Sequence, residues 1–96
     1  MPAVTREGDS DVPHCSGMVR SAHSPDVWAN NIQISRQSDV NTPHKLPGSP
    51  CPSHAAPIAI GSTTVFINLK GCGRIGDSIS GCTSVAAGSP NVFAGG

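Results

Sequence analysis

One block of sequence occurs three times in this chain, and the third copy is divided between the two ends. Ser24-Pro-Asp-Val-Trp-Ala-Asn-Asn-Ile-Gln-Ile-Ser-Arg-Gln-Ser-Asp39 aligns without a gap on Ser62-Thr-Thr-Val-Phe-Ile-Asn-Leu-Lys-Gly-Cys-Gly-Arg-Ile-Gly-Asp77. Val27 falls on Val65, Trp28 on Phe66, Asn30 on Asn68 and Arg36 on Arg74. Ser89-Pro-Asn-Val-Phe93 begins the block again and stops, while Pro2-Ala-Val-Thr-Arg6-Glu-Gly-Asp9 supplies its end without its beginning. A recurring block of this size is one supersecondary unit that buries its apolar face only against its neighbours. Three units around a closed axis bring the two termini together, so that the divided copy is completed there. The Val-aromatic positions, bounded by Gly, Pro and Asn, read as short strands. No helical period is sustained. The expectation is therefore a single domain, residues 1–96, all-β and pseudo-three-fold, made of short β-hairpins.

Such a chain lacks the means to hold itself together by packing alone. Its aromatics are Trp28, Phe66 and Phe93, and Gly and Pro contribute 20 of 96 residues. Chains this short bury a smaller share of their surface and normally add disulfides, a metal or a partner. A formal net charge of zero argues against a solvated disordered tail, and scattered Lys and Arg give no nucleic-acid footprint. There is no basic-then-apolar N-terminal signal and no run long enough to span a membrane. Synthesis in a reducing compartment then favours metal over disulfides for Cys15, Cys51, Cys72 and Cys82, the competing possibility being two disulfides in any of three pairings.

The repeat also places the candidate ligands. Arg6/Asp9, Arg36/Asp39 and Arg74/Asp77 share an Arg-x-x-Asp spacing, read as turn punctuation with Asp capping a turn and Arg over it. Five residues beyond each Asp stands a metal-competent side chain: His14, His44 and Cys82. Equivalent positions converge on a three-fold axis, giving three of the four N or S ligands that a tetrahedral structural zinc takes. The fourth comes from the longer middle copy, where Cys51 and His54 are both available. His54 is preferred because it precedes Ser62 by 8 residues, close to the 7 between Cys82 and Ser89; Cys51 is the alternative. Mixed imidazole and thiolate ligands favour zinc. Cys15, Cys72 and His23 fall outside this pattern and are read as structural.

Catalysis finds little support. A catalytic zinc needs an open position and a nearby base, and none is evident. No Ser lies in a nucleophile-elbow sequence. Gly71-Cys-Gly-Arg-Ile-Gly76 matches a dinucleotide loop in letters only, since no βαβ context surrounds it. The expectation is a non-enzyme without a small-molecule substrate.

Taken together, these stretches resemble the PAAR-repeat family. The resemblance is carried by Pro2-Ala-Val-Thr-Arg6-Glu-Gly8-Asp9, Lys70-Gly-Cys-Gly-Arg74-Ile-Gly76-Asp77 and the divergent Gln33-Ile-Ser-Arg36-Gln-Ser-Asp39. Gly88-Ser-Pro-Asn-Val92-Phe93, Gly61-Ser-Thr-Thr-Val65-Phe66 and His23-Ser-Pro-Asp-Val27-Trp28 are similar to the family's strands. The literal Pro-Ala-Ala-Arg string is absent, so the resemblance rests on spacing. It implies a small cone with a metal near the apex, held by His14, His44, His54 and Cys82. It also implies a broad base, made of the Val-aromatic strands and the termini, that docks on a trimeric β-helical spike. Such tips sharpen the puncturing spike of phage tail baseplates and of type VI secretion systems, and meet the target membrane mechanically. The implied location is a virion tail tip or the tip of a secreted spike. Ending just past its last strand, the chain reads as a bare tip. A free-standing metal- or disulfide-stapled binding module is the alternative.

Overall fold

The computed structural model describes residues 1–13, 17–42, 55–80 and 83–95. Two copies of the block form tight antiparallel hairpins. In one, β1 (Trp28–Ala29) pairs with β2 (Ile32–Gln33), with Trp28 opposite Gln33. In the other, β3 (Phe66–Ile67) pairs with β4 (Lys70–Gly71), with Phe66 opposite Gly71. The turns explain the sequence between the strands. Asn30 and Asn31 have φ of 56° and 63°, and Asn68 and Leu69 have 52° and 68°. Two consecutive left-handed residues make the turn whose twist matches a hairpin, and Asn tolerates that conformation better than most residues. The strands begin on the aromatic residues rather than on the preceding valines. Val27 and Val65 still take part, their carbonyls accepting from the Ile34 and Cys72 amides at 3.0 and 2.9 Å.

The divided copy closes between the termini. Ala3 lies opposite Phe93, the Ala94 amide donates to the Pro2 carbonyl at 3.0 Å, and the Val4 amide donates to Val92 at 3.0 Å. This last bond matches the two made by Ile34 and Cys72, so all three copies have the same strand contact.

Between copies the backbone bonds close in rings of three. The Thr5 amide donates to Gly73 (2.9 Å), Gly73 to Ser35 (3.0 Å) and Ser35 to Thr5 (3.0 Å). Glu7 donates to Gln33, Gln37 to Gly71 and Ile75 to Ala3, at 2.8–2.9 Å. Farther along, Val12 donates to Ser84, Thr42 to Val19 and Ser80 to Pro57, each at 2.9 Å. The side chains fill the space around these rings. One apolar cluster contains Val4, Ala29, Ile34, Cys72 and Ala94, with Val27, Ile67 and Val92 against it. A second contains Ala56, Ile58, Ile79 and Val85. Room at the first ring is tight: a Cβ on Gly73 would lie 2.7 Å from the Ser35 carbonyl oxygen and 2.8 Å from Ile58 Cδ1.

No helix long and apolar enough to cross a membrane occurs among the described residues. The radius of gyration, 12.6 Å, matches the ~12.5 Å expected of a compact chain of this length. The principal extents are 40 × 23 × 22 Å.

Candidate metal centre and docking face

Each Arg-x-x-Asp forms a closed clasp. In the first, the Arg6 amide and Nε donate to Asp9 Oδ2 at 2.8 and 2.9 Å, and Nη2 donates to Oδ1 at 3.1 Å. Arg36–Asp39 repeats this at 2.7, 2.8 and 3.0 Å, and Arg74–Asp77 at 2.8, 3.2 and 2.8 Å. The Asp amide returns a bond to the Arg carbonyl in all three. The paired carboxylate raises each arginine above its ordinary pKa, chiefly through these hydrogen bonds. The turn needs a left-handed third residue. Gly8 and Gly76 provide it at 86° and 89°, whereas the middle copy has Ser38 at 76°.

The clasps also link neighbouring copies. Nη1 of Arg6 donates to Asn30 Oδ1 (3.2 Å), that of Arg36 to Asn68 Oδ1 (3.1 Å) and that of Arg74 to the Gly95 carbonyl (3.0 Å). Ser89, Ser24 and Ser62 donate to the same three acceptors. Each of these hydroxyls also accepts from two amides in its own turn, as Ser24 does from Asp26 (3.2 Å) and Val27 (3.0 Å). The charged motif is thus fully used in joining copies, and the turn-punctuation reading accounts for its spacing.

Of the candidate ligands, His14, His44, His54 and Cys82, and with them Cys15 and Cys51, lie outside the described residues. Among the described residues no group of three or more His, Cys, Asp or Glu forms a metal cluster. What is described is the approach to the candidate ligands. Val12, Thr42 and Ser80, the amides of the third ring, each precede one of the three equivalent candidates by two residues: His14, His44 and Cys82. Three segments therefore leave equivalent places around one ring toward those three residues, and the middle segment returns at Ala55, next to His54.

Cys72 and His23 behave as structural residues. Cys72 is 1 % exposed, in the place that Val4 and Ile34 occupy in the other copies. Burial, aided by Asp77, pushes its thiol up to about 11, which makes it a poor nucleophile. His23 is half-buried, with Nδ1 2.9 Å from the Ser24 carbonyl oxygen.

On the hairpins, the aromatic residues of the three copies face solvent: Trp28, Phe66 and Phe93 are each more than half exposed. Leu69, at a hairpin tip, is 97 % exposed. Exposed aromatics thus recur at equivalent places in all three copies.

A buried charged cluster breaks the repetition. Arg20, Asp11 and Asn41 are 1 %, 2 % and 0 % exposed. Arg20 Nε lies 3.3 Å from Asp11 Oδ1, Asn41 Nδ2 donates to Asp11 Oδ2 at 3.1 Å, and Asn41 Oδ1 accepts from the Ala56 amide at 2.9 Å. Sequence reasoning missed this cluster, although the signal was present. Arg20 precedes Ser24 by four residues, as Ile58 precedes Ser62 and Val85 precedes Ser89. Asp11 and Asn41 stand two beyond Asp9 and Asp39, where the third copy has Ile79. Extending the block by these few positions exposes an arginine aligned with Ile58 and Val85, and an Asp and an Asn aligned with Ile79.

No protein-family model matches the chain, and no curated protein matches it in sequence. The fold defines it as a small module of short antiparallel hairpins, with no helix among the described residues.

Proposed function

We propose that the protein is a PAAR-like tip: a small cone with a pseudo-three-fold axis and a structural zinc near its apex, capping a trimeric β-helical spike. The observation that carries this reading is the closed ring of amide–carbonyl bonds through Thr5, Gly73 and Ser35, repeated at two further levels. One chain that carries the same edge three times matches the geometry of a partner made of three identical chains. Two nearly equal short extents and one long one suit a tapered body. The exposed Trp28, Phe66 and Phe93 supply an apolar base at the hairpin end.

The role is mechanical. The end of a β-helix exposes unpaired strand edges, which associate unless covered. A cap with three like edges covers all three chains at once. At the other end, His14, His44, His54 and Cys82 would hold the ion. The third ring fits that assignment, because it starts three of those residues from equivalent places. When bound, such an ion contributes folding free energy on the order of 10 kcal/mol. It would pin loops that no apolar core reaches, leaving a point stiff enough to pass a membrane.

The test is metal removal combined with spike binding. Metal analysis is expected to give one zinc per chain, and a strong chelator is expected to lower the melting temperature by tens of degrees, reversed by added zinc. Purified spike trimer is expected to bind one copy of this chain. Melting that ignores chelator rejects the structural metal, and failure to bind any spike trimer while zinc is retained leaves a free-standing zinc module. Fewer than four free thiols after denaturation without metal points instead to a disulfide scaffold.

A further inference from the structure

Nearly all the backbone bonds that join the three copies recur at every junction. The segments ending in Asp9, Asp39 and Asp77 therefore present interchangeable edges to one another. In the hairpin half, the side chains distinguish them little: Val4, Ile34 and Cys72, all apolar, occupy one set of equivalent places, and Arg6, Arg36 and Arg74 make the same clasp. Because one copy is in two pieces, segment 1–13 must find its place among three similar ones.

We propose that the buried Asp11–Arg20–Asn41 cluster is a register lock that fixes which copy sits beside which. In its native place, Asp11 reaches both the Arg20 guanidinium at 3.3 Å and the Asn41 amide at 3.1 Å. Arg20 Nη1 also donates to the Asp39 carbonyl at 3.4 Å, so the cluster ties segment 1–13 to the following segment and to the middle copy. Seating segment 1–13 where Ile79 stands puts its carboxylate opposite Ile58 and beside Val85, the apolar residues found there. It also leaves the Arg20 guanidinium buried without a carboxylate. Buried charge separated from its partner is strongly disfavoured, whereas an apolar set of similar volume fills the same space as well or better. A polar group in an otherwise repetitive core is the arrangement that fixes register in coiled coils. The lock acts within the chain, whatever the molecule docks on.

The test uses the full chain in two versions. In the first, Asp11→Ile, Arg20→Met and Asn41→Leu give the cluster the apolar character of the other copies. It is expected to keep the native far-ultraviolet spectrum and to melt at or above the wild-type temperature. It should nevertheless show more than one set of backbone amide resonances, or elute in several assembly sizes. In the second, the cluster is moved round by one copy, with Asp11→Ile, Asn41→Asp, Ile79→Asn, Arg20→Val, Ile58→Arg and Val85→Ile. A single set of resonances is expected to return. One sharp set of resonances from a monomeric apolar version overturns the proposal. So does failure of both versions to fold, since the cluster would then be holding the structure up rather than choosing its register.

Discussion

In the hairpin half of the molecule, residues at equivalent places are of one kind. Val4, Ile34 and Cys72 are all apolar, and Arg6, Arg36 and Arg74 make the same clasp with Asp9, Asp39 and Asp77. Beyond the Thr5–Gly73–Ser35 ring the backbone continues to repeat, yet the side chains do not. Ile58 and Val85 correspond to Arg20, and Ile79 to Asp11 and Asn41. The difference separates two tasks. Backbone bonding in closed rings builds the architecture throughout, and side-chain identity distinguishes the copies in only one half. The half that repeats most faithfully carries the candidate docking face, and the half that departs from repetition leads to the candidate ligands.

The largest effect should come from the half that departs. Arg20→Ala strands the Asp11 carboxylate and should cost about 3–5 kcal/mol, measured by urea unfolding. Ile58→Val at the corresponding place should cost about 1 kcal/mol. Equal losses would erase the distinction. In the ring between the halves, Gly73→Ala forces a Cβ against the Ser35 carbonyl and Ile58, and should cost about 1–3 kcal/mol. A neutral result there would mean the ring opens more easily than its geometry implies. In the hairpin half, Ser38→Gly relieves a left-handed serine where the other copies have glycine. It should gain about 0.5–1 kcal/mol after allowing for the freer unfolded chain.

A further effect is one of pH. Cys72 is raised to about 11 from 9.0, so the folded state favours the neutral thiol. Its contribution is complete below pH 9 and is lost as pH rises from there toward 11. The urea midpoint of the wild type should therefore fall relative to Cys72→Val between pH 8 and pH 10.5. Parallel curves would show that Cys72 is less enclosed than Val4 and Ile34.

The sequence made the hairpin half legible because its rules are local. Arg-x-Gly-Asp requires a left-handed third residue, Asn-Asn and Asn-Leu require a tight turn, and serine before each strand ties down the next two amides. Those constraints recur as letters, so the divided copy is recognisable in the sequence alone. The valines read as strand residues lie just outside the strands, since each valine amide donates to the hydroxyl of the serine three residues before it instead of across the hairpin. The Arg20 cluster was less visible. Its partners are 9 and 30 residues apart in sequence, Asp11 to Arg20 and Asp11 to Asn41, and nothing local marks an arginine as buried. The proposed ligands His14, His44, His54 and Cys82 lie outside the described residues, in stretches of sequence whose lengths differ between copies, where repetition of letters gives no guide to conformation.

Closing one copy between residues 2–4 and 92–94 has a consequence for birth on the ribosome. The first strand made cannot complete its hairpin until the last has emerged, because Val4 takes its bond from Val92 and Ala3 faces Phe93. Two hairpins can form before then; the circle is sealed only when residues 92–94 emerge. The nascent N-terminal segment must wait, its strand edge unmatched, until residues 92–94 have been translated.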